Sequence, residues 1–375
     1  FKAIEPMTEM IGETPRVCEG GSREVTEESY WQALLLVRKA LETNREAVDY
    51  LAGNIRASRE RLGAKGRSPR SDAGNVEKLY EVAAAGLQET PAGMLPETGS
   101  GATLRGELGK VLGHYNKQSG GAILAAAADL LGSTSVNKAG GDFDGGFWHA
   151  EKNPGARLLS IGGICEDAMA GVLMGASSFG AHVGAGSSYG AFIAALSHVP
   201  ARLHAIGCQA KRDATGAPNK TAIVVCAHAG LKTGEDGPTH ADPQALQLVS
   251  SNFPPGASIS LTPWDPAEVW TIFAAAMAKR PAVVWPFVTR PTEKVLDREA
   301  LGLAPVSAAA TGVYALRKAA GEGDGTIVLQ GSGVTYAFLE DALPKLTEAG
   351  LDLNIYYVAS AELFELLSAE EQEAI

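Results

Sequence analysis

Apolar residues recur every three to four positions along residues 27–62, with charged residues between them. This spacing places the apolar side chains on one face of a helix and predicts one or two amphipathic helices. Two polar stretches rich in Gly, Pro and Ser follow at residues 63–75 and 91–101, and we expect both to be exposed connections. A folded domain is therefore expected to begin near Ala102.

Beyond Ala102, short apolar runs of strand length alternate with helical patterns. The predicted strands cover residues 122–128, 157–161, 222–227, 257–262 and 282–288. The predicted helices cover residues 104–116, 166–178, 191–196, 243–252 and 266–278. Strands and helices in turn indicate βαβ units, and hence a mainly parallel sheet covered by helices on both faces. The predicted fold class is α/β.

The alternation restarts after Ala300 and predicts a second, smaller α/β unit. Its predicted strands cover residues 325–330 and 353–358, and its predicted helices cover residues 333–349 and 360–367. A sheet of two strands is below the usual size, so this unit looks incomplete. We therefore expect three parts: a helical lead-in and linker at 1–101, the sheet domain at 102–300, and a carboxy-terminal domain at 301–375.

Composition excludes several classes of protein. A net charge of -11 argues against a nucleic-acid binder, since such proteins neutralise phosphates with clustered Lys and Arg. The sequence contains no run of about 20 apolar residues, so we expect no membrane association. Four cysteines without CxxC spacing predict buried free thiols in a reducing cytoplasm, and no secretory signal is visible.

The most informative motif follows the predicted strand that ends at Ala227. It reads Gly-Glu-Asp-Gly-Pro-Thr-His from Gly234 to His240 and includes Asp236, with His228 a few residues before it. Ligands of parallel α/β proteins bind at the carboxyl ends of strands, where an acid and two imidazoles can contact a small polyol. Taken alone, however, the four residues Gly-Glu-Asp-Gly are more simply a turn held by an aspartate.

The whole phrase closely resembles the signature loop of the transketolase family, and His228 precedes it at the family's spacing. A second segment, Ile-Cys-Glu-Asp-Ala-Met-Ala-Gly from Ile164, resembles the family's Arg-Glu-His-Ala-Met run, and Glu166 matches its glutamate. Cys165 and Asp167 stand where the family has Arg and His, so two of the family's side chains are absent around this glutamate. By itself, Glu166 is more simply explained as a favourable acid in the first turn of a helix.

The resemblance implies thiamine diphosphate as cofactor, with Glu166 bonded to the N1' atom of its aminopyrimidine ring. A carboxyl group that shares a proton in this way needs dry, apolar surroundings, for which Ile164, Met169 and Val172 are suited. The segment Gly-Ala-Gly-Ser-Ser-Tyr-Gly-Ala-Phe resembles the family strand whose aromatic residues stack on the ring. Its aromatic residues are Tyr189 and Phe192, although aromatic residues so placed are more often part of the core.

The resemblance further assigns cofactor and substrate contacts. Asp129 lies in a segment similar to the family's Gly-Ser-Ala-Asp-Leu and is expected near the cofactor. Ser133, Arg105 and Arg290 are expected to bind the phosphate of a sugar, because a guanidinium fork pairs well with phosphate oxygens. Each arginine could also be a solvated surface charge.

Within the same resemblance, His228 and His240 are expected to act on the reacting oxygens, and Asp236 is expected to bind a substrate hydroxyl.

The metal-binding part of such a site is not recognisable. The family binds the diphosphate through Mg²⁺ or Ca²⁺ and a Gly-Asp-Gly motif in a separate domain. The segment Gly323-Asp324-Gly325, followed by Asn354, has similar spacing but precedes a predicted strand, so we reject it as a metal site. We expect a homodimer, with a large interface between sheet domains, or a separate diphosphate-binding subunit.

The predicted function is transfer of a two-carbon ketol unit between sugar phosphates, as in the pentose phosphate pathway of carbohydrate metabolism. One alternative is a related thiamine enzyme, such as a deoxyxylulose-phosphate synthase or a ketol transferase with another acceptor. Another is a non-catalytic subunit. Residues 211–220 form a polar insertion that we expect to be a surface loop.

Overall fold

The chain folds into two compact units, Phe1–Ser71 and Asp72–Ile375. The computed structural model describes residues 5–14, 20, 22–68, 70–193, 197–227, 229, 245–249 and 253–375. The division of the chain at residues 101 and 300 stays a prediction.

The first unit is helical. It contains α1 (Glu5–Ile11), α2 (Arg23–Thr43) and α3 (Arg45–Ala64). The side chain of Asn44 separates the last two helices, because its Oδ1 accepts the Ala47 N–H at 3.2 Å and caps α3. The amphipathic helices predicted over residues 27–62 are therefore present.

The second unit contains a five-stranded parallel sheet. The strands in chain order are β1 (Gly101–Thr103), β2 (Ile123–Ala127), β3 (Val183–Tyr189), β4 (Ala222–Ala227), β5 (Ser258–Leu261), β6 (Val283–Val288) and β7 (Thr292–Lys294). The sheet has the order β2-β3-β4-β6-β5, and all of its described pairings are parallel. β1 and β7 form a separate antiparallel pair. The predicted α/β class with a parallel sheet is confirmed.

Helices cover the sheet on two sides. They are α4 (Val76–Gln88), α5 (Leu104–Gln118), α6 (Glu166–Phe179), α7 (Ile206–Thr215), α8 (Ala245–Val249) and α9 (Val269–Ala278). Alternate residues of the strands enter two different apolar clusters, as Val225 packs with Trp270 of α9 and Val224 with Leu173 of α6. This alternation follows from the period of two in a strand and shows that both faces are buried.

The carboxy-terminal part holds a three-stranded sheet. It consists of β8 (Val313–Arg317), β9 (Gly325–Leu329) and β10 (Leu353–Val358), and the middle strand β10 runs parallel to β9 and antiparallel to β8. Sequence analysis missed β8, so the expectation of only two strands was wrong. Four short helices complete the region: α10 (Ser332–Ala337), α11 (Leu343–Glu348), α12 (Ala361–Glu365) and α13 (Ala369–Glu373).

Other expectations about local structure were also wrong. Residues 157–161 do not form a strand, since Leu158 makes only isolated bridges and Gly162, at a φ of 80°, turns the chain towards α6. The predicted helix at 333–349 is present, since residues 332–348 are helical throughout, but it contains a π-helical segment, Phe338–Ala342, next to Pro344, which lacks an N–H. The surface loop expected at 211–220 forms only in part, because its first half belongs to the end of α7.

A buried charged cluster links the carboxy-terminal strands to the sheet domain. Arg298 lies 2.9 Å from Asp265 and 2.8 Å from Glu268, and all three side chains are buried. Tyr314 of β8 donates a hydrogen bond to Glu268 and accepts one from the Trp264 indole at 2.9 Å. Every charge in the cluster therefore has an oppositely charged partner, as buried charges require. Over the described ranges, none of the helices is long and apolar enough to cross a membrane.

Candidate active site

The carboxyl edge of the parallel sheet gathers several of the predicted site residues. Asp129 follows β2, Tyr189 ends β3, and Arg290 follows β6. The first turn of α5 contains Arg105, whose backbone N–H donates to the carbonyl of Thr289 at 3.4 Å. His228 follows Ala227, the last residue of β4, in the sequence. His228, Asp236 and His240 lie outside the described residues.

Glu166 is the first residue of α6, and its carboxylate is fixed against the end of β3. The hydroxyl of Ser188 donates a hydrogen bond to Oε1 of Glu166 at 2.9 Å. Ser188 is buried and Glu166 is half-buried, so the carboxylate keeps one side open. This hydrogen bond ties the first turn of α6 to the end of β3.

The apolar surroundings expected for Glu166 form only in part. Met169 is buried against the sheet, whereas Ile164 is 71% exposed and Val172 is 53% exposed. The reason is the orientation of α6, which turns Met169, Leu173 and Ser177 inwards and leaves its opposite face on the surface. The expectation that Ile164 and Val172 enclose the carboxylate within this chain was wrong. Cys165 is likewise exposed, and only Cys226 among the described cysteines is fully buried.

A cleft of about 420 Å³ opens beside the end of β2. Asp129 lines it, together with Leu130, Phe147 and the segment that leads into Glu166. The Oδ1 atom of Asp129 accepts the N–H of Leu130 at 2.8 Å, and Leu130 has a φ of 45°, so the chain turns sharply at the rim of the cleft.

The two predicted aromatic residues contact each other. The ring centroids of Tyr189 and Phe192 are 6.5 Å apart, and the rings meet edge to face at 72°. Tyr189 is buried at the end of β3, whereas Phe192 reaches the surface on a short turn. Tyr189 is therefore the more firmly held of the two, whereas the ring of Phe192 is the more accessible to a ligand.

The predicted phosphate contacts Arg105 and Ser133 are brought together. Nη1 of Arg105 donates to the backbone carbonyl of Ser133 and also to its hydroxyl, the latter at 3.1 Å. The loop that contains Ser133 is also bound to β3, since the hydroxyl of Ser187 donates to the hydroxyl of Thr134 at 2.8 Å. Together these contacts place a guanidinium and a hydroxyl side by side at the edge of the sheet.

Three residues of this arrangement were not predicted from sequence: Ser187, Ser188 and Thr134. The signal available was the pair of adjacent serines inside β3. A polar residue in a buried strand needs a hydrogen-bond partner, so two neighbouring serines that point to opposite faces predict two polar contacts.

The described residues contain no group of three or more His, Cys, Asp or Glu side chains that could hold a metal ion. The side chains of the rejected motif are used locally. The Asp324 carboxylate accepts the backbone N–H of Asp352 at 2.8 Å, and Oδ1 of Asn354 accepts that of Ala319 at 3.0 Å. Both contacts close the turn before β9.

Comparison with known families decides the assignment. The family described as "Transketolase, pyrimidine binding domain" matches residues 101–289, which is half of the chain and includes the whole five-stranded sheet. The chain belongs to the transketolase family. This family depends on thiamine diphosphate.

Two curated transketolases give the same assignment. The chain is 28% identical over 163 residues to the transketolase of Streptococcus pyogenes serotype M6, covering 42% of this chain and 21% of that one. It is 31% identical over 157 residues to the transketolase of Halalkalibacterium halodurans, covering 41% and 22% respectively. Each match thus spans about a fifth of the length of the curated relative.

Solved transketolase structures share the fold. The Leishmania mexicana transketolase superimposes with a TM-score of 0.61 at 19% identity, covering 95% of this chain and 46% of that chain. A Pichia stipitis transketolase in complex with sedoheptulose 7-phosphate gives a TM-score of 0.62 at 21% identity, covering 95% and 47%. The chain therefore spans about half the length of these structures.

Proposed function

We propose that this transketolase family member provides the pyrimidine-binding half of a thiamine-diphosphate site that transfers a two-carbon ketol unit between sugar phosphates. The observation that carries the proposal is the Glu166 carboxylate, half-buried and held by Ser188 where the carboxyl edge of β3 meets α6. The cleft lined by Asp129 lies next to the segment that leads into this residue.

The residues present fit the pyrimidine half of the cofactor. Glu166 would hold a proton at the N1' atom of the ring, and we assign Tyr189 and Phe192, whose rings contact each other, to stacking on it. Asp129 would contact the cofactor from the neighbouring strand. When bound, thiamine diphosphate supplies an electron sink for the charge left by cleavage of a carbon–carbon bond.

Arg105 and Ser133 are suited to bind the phosphate of a sugar phosphate. Arg105 and Ser133 already contact each other, so a phosphate could receive hydrogen bonds from both without rearrangement of the loop. Arg290, which follows β6, would add a second guanidinium. We assign His228 and His240 to the reacting oxygens and Asp236 to a substrate hydroxyl.

The diphosphate and its Mg²⁺ or Ca²⁺ would be held by another domain. Among the residues that the structure describes, no cluster of metal ligands accompanies the pyrimidine site. We therefore propose that the active assembly is a homodimer of a longer chain or a complex with a diphosphate-binding subunit, as a soluble cytoplasmic enzyme.

The test is titration calorimetry with thiamine diphosphate and Mg²⁺ on the protein together with any co-purifying partner, followed by a turnover assay with ketose and aldose phosphates. Glu166→Gln is expected to reduce turnover by at least about 100-fold while the far-UV circular dichroism spectrum is unchanged. Asp167→Asn is the matched control, because Asp167 lies in the same helical turn and shares any interaction with the helix dipole.

Turnover that survives in Glu166→Gln would refute the catalytic assignment. Absence of cofactor binding by the wild-type assembly would instead indicate a non-catalytic subunit. Analysis of the products separates ketol transfer from deoxyxylulose-phosphate synthesis or from the use of another acceptor.

A further inference from the structure

The helix α3 contacts α2 but carries an apolar stripe that stays largely exposed, and none of its side chains is fully buried. Leu51 is 60% exposed, Ile55 is 62% exposed and Leu62 is 62% exposed. At 100° per residue these side chains share one face with Val48 and Ala52. Most of the stability of a helix in a protein comes from packing of its apolar face, so a partner surface that covers this stripe would stabilise α3.

Shallow clefts follow the stripe. One of about 400 Å³ is lined by residues from Leu34 of α2 to Leu51 of α3, and another of about 460 Å³ is lined by Ile55, Arg59 and Leu62. The apolar spacing of three and four residues continues between them and is the spacing that packs into a second helix. The surface is thus long enough for a helix, and not only for a single side chain.

One edge of the stripe has a charge pattern that selects the partner. Arg45, Asp49, Arg56 and Glu60 lie on this edge and give the order positive, negative, positive, negative. Arg45 and Asp49 are 3.4 Å apart within the helix, and both are largely exposed. In an antiparallel copy of the same helix, Arg45 faces Glu60 and Asp49 faces Arg56. In a parallel copy each charge would face itself, which is unfavourable.

We propose that α3 pairs in antiparallel orientation with α3 of a second copy of this chain. The two-fold axis passes near Ala52 and Gly53, because both charge pairs are symmetric about that point. Ala52, whose small side chain borders the stripe, lets the two helices approach closely, and Leu51 and Ile55 of one copy pack against those of the other. Such an isologous contact is the common form of a two-fold interface.

The charged edge sets the orientation of the helices, and the apolar stripe provides the affinity. Exposed ion pairs contribute little individually, whereas burial of Leu and Ile side chains is favourable. This contact is distinct from an interface between sheet domains, and it does not depend on the proposed thiamine chemistry.

Cross-linking through a cysteine near the axis tests the contact directly. Ala52→Cys is introduced into the full chain, and Ala57→Cys on the opposite face of α3 is the matched control. A short bismaleimide is expected to give a species of twice the chain mass with Ala52→Cys, at least fivefold more than with Ala57→Cys or the wild type. Peptide mapping is expected to identify a link from position 52 to position 52, whichever other interfaces the protein forms.

Charge reversal tests the orientation. In the Ala52→Cys background, Asp49→Arg is expected to lower the yield of this link severalfold at low salt. Addition of Arg56→Asp is expected to restore the yield, since the pair is then reversed and intact. Equal yields for Ala52→Cys and Ala57→Cys would overturn the proposal, as would a link from position 52 to the sheet domain or to another polypeptide.

Discussion

The hydroxyl of Ser188 and the carboxylate of Glu166 are joined by a 2.9 Å hydrogen bond that connects the end of β3 to the beginning of α6. Because Ser188 is buried and belongs to the central part of the sheet, it fixes one oxygen of an otherwise half-exposed carboxylate. Among the residues that the structure describes, the second oxygen has no hydrogen-bond partner, so it is available to a ligand at the edge of the sheet.

Ser188→Ala removes this contact and leaves Glu166 without its described partner. We expect cofactor affinity to fall by about threefold to tenfold, since a single hydrogen bond of this kind contributes about 0.5–1.5 kcal/mol. Titration calorimetry with thiamine diphosphate and Mg²⁺ measures the change. Ser177→Ala is the control, because its hydroxyl accepts the N–H of Gly184 at the other end of α6. Equal loss in both variants would mean that the effect is only structural.

Arg105→Ala removes the guanidinium that contacts Ser133. We expect the KM for phosphorylated acceptors to rise by roughly tenfold to 100-fold, in keeping with about 1.5–3 kcal/mol for hydrogen bonds to a charged group. The KM for unphosphorylated aldehydes should change much less. Lys117→Ala at the other end of α5 is the control, since its exposed partner is Asp142. A similar rise for both kinds of acceptor would contradict a role in phosphate binding.

Close packing of α6 on β3 requires a glycine. A Cβ atom at Gly184 would overlap the backbone carbonyl of Leu173, whereas one at Gly175 would meet nothing within 4 Å. We expect Gly184→Ala to lower the free energy of unfolding by about 1–3 kcal/mol, as overpacking does. Gly175→Ala should raise it by about 0.5–1 kcal/mol, because alanine is the better helix former. Urea denaturation measures the free energy of unfolding of both variants. An unchanged value for Gly184→Ala would show that α6 can shift away from β3 without loss of stability.

Much of the fold follows from sequence, since β2, β4 and β6 are continuous apolar runs that any parallel sheet must bury. β3 is different, because its residues Val183–Tyr189 include three small residues and two serines, and only their fit beneath α6 makes them a strand. β8 escaped prediction for a related reason. Its inward residues Tyr314 and Leu316 are buried by long-range contacts that no local pattern records.

The candidate site was predictable to the extent that motifs determine it. Motif resemblance identified Glu166 and Asp129, and the sheet topology explains why both lie at one edge. The adjacent serines of β3 predict polar contacts but not their partners, because Ser188 is distant from Glu166 in sequence and reaches it only through the packing of α6. The exposure of Ile164 and Val172 shows the same limit, since the face that α6 turns towards the sheet is set by long-range packing.

Glu362 makes the stability of the protein depend on pH. Its Oε2 accepts hydrogen bonds from the backbone and hydroxyl of Ser260, at 3.2 and 2.6 Å. Burial nevertheless raises the pKa of this carboxyl above its ordinary value of 4.5, against the opposing effect of the hydrogen bonds from Ser260. The folded protein therefore binds this proton more tightly than the unfolded chain does.

Lowering the pH through the raised pKa towards 4.5 should thus increase the free energy of unfolding, by about 1.4 kcal/mol for each unit of elevation. Raising the pH through the same window should remove this contribution. In Glu362→Gln no proton is exchanged at this position, so the contribution disappears, and the variant gains stability relative to wild type as the pH rises. Urea denaturation from pH 4.5 to pH 8 measures the difference, with the exposed Glu373→Gln as control. Parallel profiles for wild type and Glu362→Gln would show that this carboxyl ionises at its ordinary pKa in the folded protein.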